Sequence, residues 1–508
     1  MKSLRFPVST VLYLFFAVVS QADVTPHALF RDHAVLQREV PVPVWGTASP
    51  GENVSVRLAD RPAVTTTAGA DGRWQVHLPA QPAGGPFKLV FEGKNRIELN
   101  DVWLGEVWLC SGQSNMERQL GLRNGQQPLV NWEQEVASAN YPKIRHFAVE
   151  RMPSDTPLAD TTGKWDVCSP QTAAQFTAVG YYFARDLQRE LGVAVGLIHS
   201  SWGGTPAEAW MRQDLLAGEF PEVIAAQENA VAAYGVALEK FKTEEPALLL
   251  AWQEADAAAK AAGKPSPGKP APPRNPSTTQ NRPSSLYNGM IAPLQPYAFR
   301  GVIWYQGESN AGRAEAYRTL FPALIRDWRT QWGQGEFPFL FVQIAPYKSQ
   351  PPEIRDAQLH TWRTTPNTAM VVTTDVGDAE DIHPTRKEPV GSRLALAARA
   401  LAYGEALDYS GPRFTAFKIE GSKVILSFDH VGGGLVAKDG ALRGLTISGD
   451  GKTFVPADAV IVGETVEVSA SAVAAPVAVR YGWTNAPDVN LFNSAGLPAS
   501  PFRTDGPL

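Results

Sequence analysis

Apolar positions change their rhythm twice along the chain. Between residues 23 and 102, apolar and polar residues alternate in short runs at 40–45, 53–58 and 73–78, with Gly, Pro, Asn and Asp between them. A period of two marks half-buried strands, and this spacing predicts a small β-sandwich. From residue 103 the pattern differs. Strand-length apolar runs at 107–110, 143–149, 193–199, 301–306, 339–345 and 370–375 alternate with helical stripes. Phe176, Val179, Phe183, Leu187 and Leu191 form one stripe, and Tyr317, Leu320, Phe321, Leu324, Ile325 and Trp328 form another. Such alternation predicts an α/β region over 103–405, with a mostly parallel sheet covered by helices on both faces. Short strand patterns return over 406–508, at 423–428, 442–448, 460–468 and 478–481, and predict a second β domain.

Two segments stand outside this pattern. Residues 213–283 interrupt the α/β region. They are first rich in Ala, Glu and Lys and then carry seven prolines between 264 and 283. The expectation is one or two exposed helices followed by an extended stretch, together a tolerated surface insertion. At the amino terminus, Lys2 and Arg5 precede an apolar run over 8–19 and then Ser20-Gln21-Ala22. That is the pattern of a secretory signal peptide over 1–22, cut after Ala22. It implies a secreted or periplasmic protein with no membrane span after cleavage.

Composition narrows the function classes. Of 508 residues, 44% are hydrophobic and 19% charged, which suits a globular chain. The formal charge of −5 gives no electrostatic footprint for nucleic acid. Two cysteines exclude a disulfide-dense scaffold and a multi-cysteine metal site. Cys110 and Cys168 either pair in an oxidising compartment or remain buried thiols; the sequence leaves both open.

In a parallel sheet the ligand crevice lies at the carboxyl ends of the strands. Four loops leave such ends. The first reads Cys110-Ser111-Gly112-Gln113-Ser114-Asn115-Met116. A serine on a tight turn there presents its hydroxyl beside backbone N–H groups, as an acyl-transfer nucleophile requires. The second, His199-Ser200-Ser201-Trp202-Gly203-Gly204-Thr205, has two glycines that let a backbone N–H approach an oxyanion. The third, Trp304-Tyr305-Gln306-Gly307-Glu308-Ser309-Asn310, offers side-chain amides at Gln306 and Asn310 and a carboxylate at Glu308. The fourth holds Asp378, Glu380 and Asp381 just before His383, a candidate general base with acids close by. His199 also ends a strand run, but His383 has the carboxylates in its own loop.

These blocks resemble those of the sialate O-acetylesterases, a family of the SGNH-hydrolase superfamily. The resemblance rests on 108–116, 201–205, 304–310 and Asp381-Ile382-His383-Pro384, with further similarity at 286–291 and 496–499. It implies a flavodoxin-like α/β sheet and removal of O-acetyl groups from sialic acids, or from xylan and other glycans in relatives with the same blocks. Carried onto this chain, it implies Ser114 as nucleophile, His383 as base, and Gly203 or Gly204 in the oxyanion hole. The side-chain oxyanion donor stays open between Gln306 and Asn310. The supporting acid is expected to be Asp381, with Glu380 and Glu308 as alternatives. No metal or organic cofactor is implied. A reading of another class, a non-catalytic glycan-binding protein using its tryptophans, would retain sugar binding without Ser114.

Overall fold

The computed structural model describes residues 23–506, so the signal-peptide segment lies outside the described residues. The amino-terminal region is built from two sheets. Thr25–Pro26, Val42–Thr47 and Arg73–Leu78 form one. Val35–Gln37, Asn53–Leu58, Val64–Thr67 and Gly84–Glu92 join the start of a long strand in the other. Strict in–out alternation along Arg73–Leu78 follows from its RWQVHL pattern, which buries Trp74, Val76 and Leu78.

The long strand is Arg96–Gly112, labelled β1. Its first half pairs within the sandwich, and its second half is the middle of the central sheet. Position 102/103, where the sequence pattern changes, therefore lies inside one continuous strand. The other central strands are β2 (Tyr141–Ala148), β3 (Trp165–Cys168), β4 (Val195–Ser201), β5 (Gly301–Tyr305), β6 (Phe339–Val342) and β7 (Thr368–Val371). Their order is β3-β2-β4-β1-β5-β6-β7, all parallel except β3. Within it, β4-β1-β5-β6-β7 has the flavodoxin-like order, with β1 at the switch point.

Helices cover both faces. Alternate residues of β5 serve opposite cores: Ile303 and Tyr305 pack with Val179, Phe183 and Leu394, whereas Val302 and Trp304 pack with Tyr317, Phe321 and Trp328. The helices concerned are Ala178–Leu191 and Glu388–Tyr403 on one side, and Ala314–Trp332 on the other. Ala178–Leu191 and Ala314–Trp332 carry the two helical stripes read from the sequence, where the three-and-four spacing places an apolar face. Thr177 caps Ala178–Leu191 by accepting the Gly180 N–H, and Gly192 ends it in the left-handed conformation.

The 213–283 insertion contains Gln213–Glu219 and a 41-residue helix, Pro221–Ala261, exposed along most of its length. The carboxyl-terminal region forms antiparallel sheets. The 460–468 segment, continuous as a sequence pattern, is a hairpin of Asp458–Val462 and Thr465–Ser469. Gly463, at φ +61°, makes the turn that splits it. This region docks on the α/β layer through buried Arg355, which donates to the Thr484 and Asn485 carbonyls. Among the described residues no helix is long and apolar enough to cross a membrane.

Candidate active site

Gly112 ends β1 opposite both Ser201 of β4 and Tyr305 of β5. Three of the four loops therefore leave the sheet at one level. The fit at Gly112 is tight. It has φ +129°, and a Cβ there would stand 2.2 Å from the Tyr305 carbonyl oxygen. Immediately after it the chain turns into the single helical turn Ser114–Glu117, which begins with Ser114.

His383 reaches this point from the fourth loop. Its Nε2 lies 3.0 Å from Ser114 Oγ, the spacing of a hydrogen-bonded nucleophile and base. Both residues are partly exposed in an open pocket of about 460 Å³. Burial, reinforced by the Lys387 charge, holds His383 below the ordinary imidazole range; Asp381 opposes this.

The three candidate acids have different surroundings. Asp381 Oδ1 accepts the His383 backbone N–H at 2.8 Å and stands 3.8 Å from His383 Nδ1. It is close enough for charge interaction but beyond direct hydrogen bonding to the ring. Glu380 is exposed and paired with Lys348 at 2.6 Å. Glu308 is buried and accepts from Asn115 Nδ2 at 2.6 Å. Burial raises its carboxyl above the ordinary range, against the Asn115 bond and the Lys387 charge.

The amide donors expected from the third loop are engaged elsewhere. Gln306 Nε2 donates to Asn310 Oδ1 at 2.7 Å and to the Thr205 carbonyl at 3.3 Å. Asn310 Nδ2 donates to Glu208 Oε2 at 2.9 Å. Both amides are buried and fasten the second loop to the third, and neither lines the Ser114 pocket. On the second loop, Gly203 approaches the nucleophile so closely that a Cβ there would lie 3.1 Å from Ser114 Cβ. Its N–H is not free: it donates to Glu117 Oε2 at 2.5 Å. Gly204 lines the pocket, and among the described residues its N–H has no hydrogen-bond partner. His199 belongs to another environment, bonded to Ser201 Oγ at 2.5 Å and beside His146. Burial keeps it well below the usual imidazole range.

Sequence reasoning missed four residues here. Glu117 is buried and holds Arg123 at 2.9 Å and Arg151 at 2.6 Å through Oε1. Arg151 also lies 6.0 Å from the Trp202 ring centroid. Lys387, fully buried, donates to Asn115 Oδ1 at 2.5 Å. Glu117 had a local signal, three residues after the nucleophile on the same helical turn. The other three had none, because only the fold brings Arg123 and Arg151 to the pocket and Lys387 behind it. Among the described residues no cluster of three or more metal-ligating side chains occurs. A larger cleft of about 1000 Å³, lined in part by Trp45, Arg73, Asp160 and Arg212, lies between the sandwich and the α/β layer and includes neither Ser114 nor His383.

The likenesses to known proteins agree with this geometry. Residues 104–261 and 277–400 match the family described as "Carbohydrate esterase, sialic acid-specific acetylesterase". The matched span includes the long helix of the insertion and leaves out only 262–276 within it. The chain is 31% identical to the sialate O-acetylesterase of Rattus norvegicus, over 98% of this chain and 97% of that one. It is 30% identical to the Homo sapiens protein of the same name, over 97% and 96%. A crystal structure of a "novel carbohydrate acetylesterase from Xanthomonas citri" is 40% identical, with a TM-score of 0.78, over 95% of this chain and 99% of that one.

Proposed function

Because the chain belongs to the sialate O-acetylesterase family of carbohydrate esterases, we propose that it removes O-acetyl groups from sialic acids through an acyl-enzyme intermediate on Ser114. The observation that carries the mechanism is the 3.0 Å contact between Ser114 Oγ and His383 Nε2. His383 takes the hydroxyl proton as Ser114 attacks the acetyl carbonyl. The tetrahedral oxyanion is held by the Ser114 N–H and by the Gly204 N–H on the facing loop. Collapse breaks the bond to the sugar oxygen, which leaves with the proton from His383. Water, deprotonated by the same His383, then attacks the acetyl-serine, and acetate departs as Ser114 recovers its proton. Asp381, 3.8 Å from the ring, favours the transient imidazolium by charge.

Two features support an acidic sugar. Arg123 and Arg151 line the pocket and share the single carboxylate of Glu117, which leaves guanidinium donors in excess on that wall. A sialic acid carries a carboxylate that such a pair suits. The family description and the names of the curated relatives point the same way. A second reading, an acetylated xylan or other glycan, is left room by the higher identity to a structure described only as a carbohydrate acetylesterase, that of Xanthomonas citri. The signal-like pattern of residues 1–22 supports export of the mature chain.

The test is acetate release from O-acetylated sialosides and from acetylated xylan, with Ser114→Ala alongside. Release from sialosides that vanishes in the variant supports the whole reading. Ser114-dependent release from xylan alone keeps the mechanism and moves the substrate. Sugar binding that survives Ser114→Ala, without release by the wild type, would favour the glycan-binding alternative.

A further inference from the structure

Lys387 is a buried cation that this mechanism does not use. It is 1% exposed, in a place where an aliphatic side chain would avoid the desolvation of an ammonium. Its Nζ donates to Asn115 Oδ1 at 2.5 Å and lies 5.4 Å from the Tyr305 ring centroid. Asn115 is itself fully buried. Its Nδ2 donates to Glu308 Oε1 at 2.6 Å and to the Ile382 carbonyl at 3.1 Å. These partners dictate the orientation of the amide. An ammonium only donates, and a carbonyl only accepts, so a flipped Asn115 would set donor against donor and acceptor against acceptor.

The topology of these bonds is informative. Asn115 follows the nucleophile, and Ile382 precedes the base. One amide therefore ties the serine turn to the histidine loop, and Lys387, four residues beyond His383, closes the circuit. As a stabilising device it is poor. Lys387 reaches the Glu308 carboxylate only through an intervening amide, and among the described residues Glu308 Oε2 has no hydrogen-bond partner. Buried charges held this loosely are costly to the fold, which makes a role in the site the better account.

We propose that Lys387 is a positioning residue of the esterase: through Asn115 it fixes the loop that carries His383, and its charge tunes that base. The inference rests on the Ser114–His383 reading above. The charged groups around Lys387 are Glu308 and Asp381, which favour its ammonium, and Arg118, which opposes it; burial brings it down to about 7. Those around His383 are Lys387, Arg118 and Arg123, all opposing protonation, and Asp381, which favours it. The ammonium keeps the base free at pH values where an ordinary histidine would be partly protonated.

Two variants separate the tie from the charge. Lys387→Gln retains a donor for Asn115 and removes the charge. Lys387→Met removes both. The readouts are kcat and KM against pH with 4-nitrophenyl acetate, and the NMR titration of His383, each on protein shown to be folded by circular dichroism. For both variants the acid limb and the His383 titration should move up by about one pH unit. For Lys387→Met, kcat at the plateau should also fall about tenfold or more, with KM within about twofold, because Lys387 does not touch substrate. A folded variant with an unshifted acid limb and His383 titration overturns the proposal. So does failure of both variants to fold, which would make Lys387 structural. Absence of acetate release by the wild type would instead sink the esterase reading, and the His383 titration would still report whether the charge acts on it.

Discussion

Glu117 and Gly203 are joined by a 2.5 Å hydrogen bond from the glycine N–H to the carboxylate Oε2. The other oxygen of the same carboxylate holds Arg123 and Arg151. One side chain thus holds the glycine loop and two cations beside Ser114. Glu117→Ala would leave the Gly203 N–H without its partner and release both arginines. The expected loss in kcat/KM is about 1–3 kcal/mol, or roughly five- to 150-fold. Glu117→Gln keeps an acceptor for Gly203 and should retain more activity than Glu117→Ala. Steady-state kinetics of the two variants check the order; equal losses would show that the charge, not the loop contact, matters.

The pH dependence follows from His383. Its neutral form accepts the Ser114 proton, and burial together with Lys387 lowers its pKa. A lowered pKa keeps the base neutral to more acidic pH. The acid limb of kcat/KM should therefore have its midpoint below ~6.5, the ordinary histidine value. A profile measured from pH 4 to 8 decides this, and a midpoint above 7 would contradict the environment described.

Gly112 allows no side chain. Its positive φ and the 2.2 Å approach of a Cβ to the Tyr305 carbonyl oxygen act together. Gly112→Ala should destabilise the protein by about 3 kcal/mol or more, by forcing β1 away from β5. A urea unfolding midpoint close to that of the wild type would show that the strand end relaxes freely.

Cys110 and Cys168 are both free and buried, and burial raises both thiols. The thiolate is the reactive form, so native protein should resist iodoacetamide at pH 8. After unfolding without reductant, both should label, giving two adducts by mass spectrometry. No adduct after unfolding would instead indicate a disulfide.

The contact between Ser114 and His383 was legible because both lie on loops that leave strand runs on the same side of the sheet. The helical stripes were legible because Tyr317, Phe321 and Trp328 obey a local period. What was not legible depends on contacts between distant segments. Gln306 and Asn310 carry the right chemistry for an oxyanion hole, yet their amides face Thr205, Glu208 and each other. Nothing in the sequence distinguishes an amide that lines a pocket from one that fastens two loops together. Lys387 and Arg151 are isolated basic residues in sequence, and only the fold gives them partners. The 460–468 run was misread because strand alternation hid a one-glycine turn at Gly463.

β1 makes the amino-terminal sandwich and the approach to Ser114 parts of one 17-residue strand, bent at Asp101, whose φ is +55°. Its sandwich end pairs with Gly84–Glu92 and Val35–Gln37, and its far end delivers Ser114. The sandwich is consequently not a cassette that could be cut away or exchanged between relatives without consequence. Severing it would free one half of the strand whose other half leads to Ser114. Substitutions that loosen strand pairing over 84–104 are therefore expected to reach Ser114, although none of those residues lines its pocket.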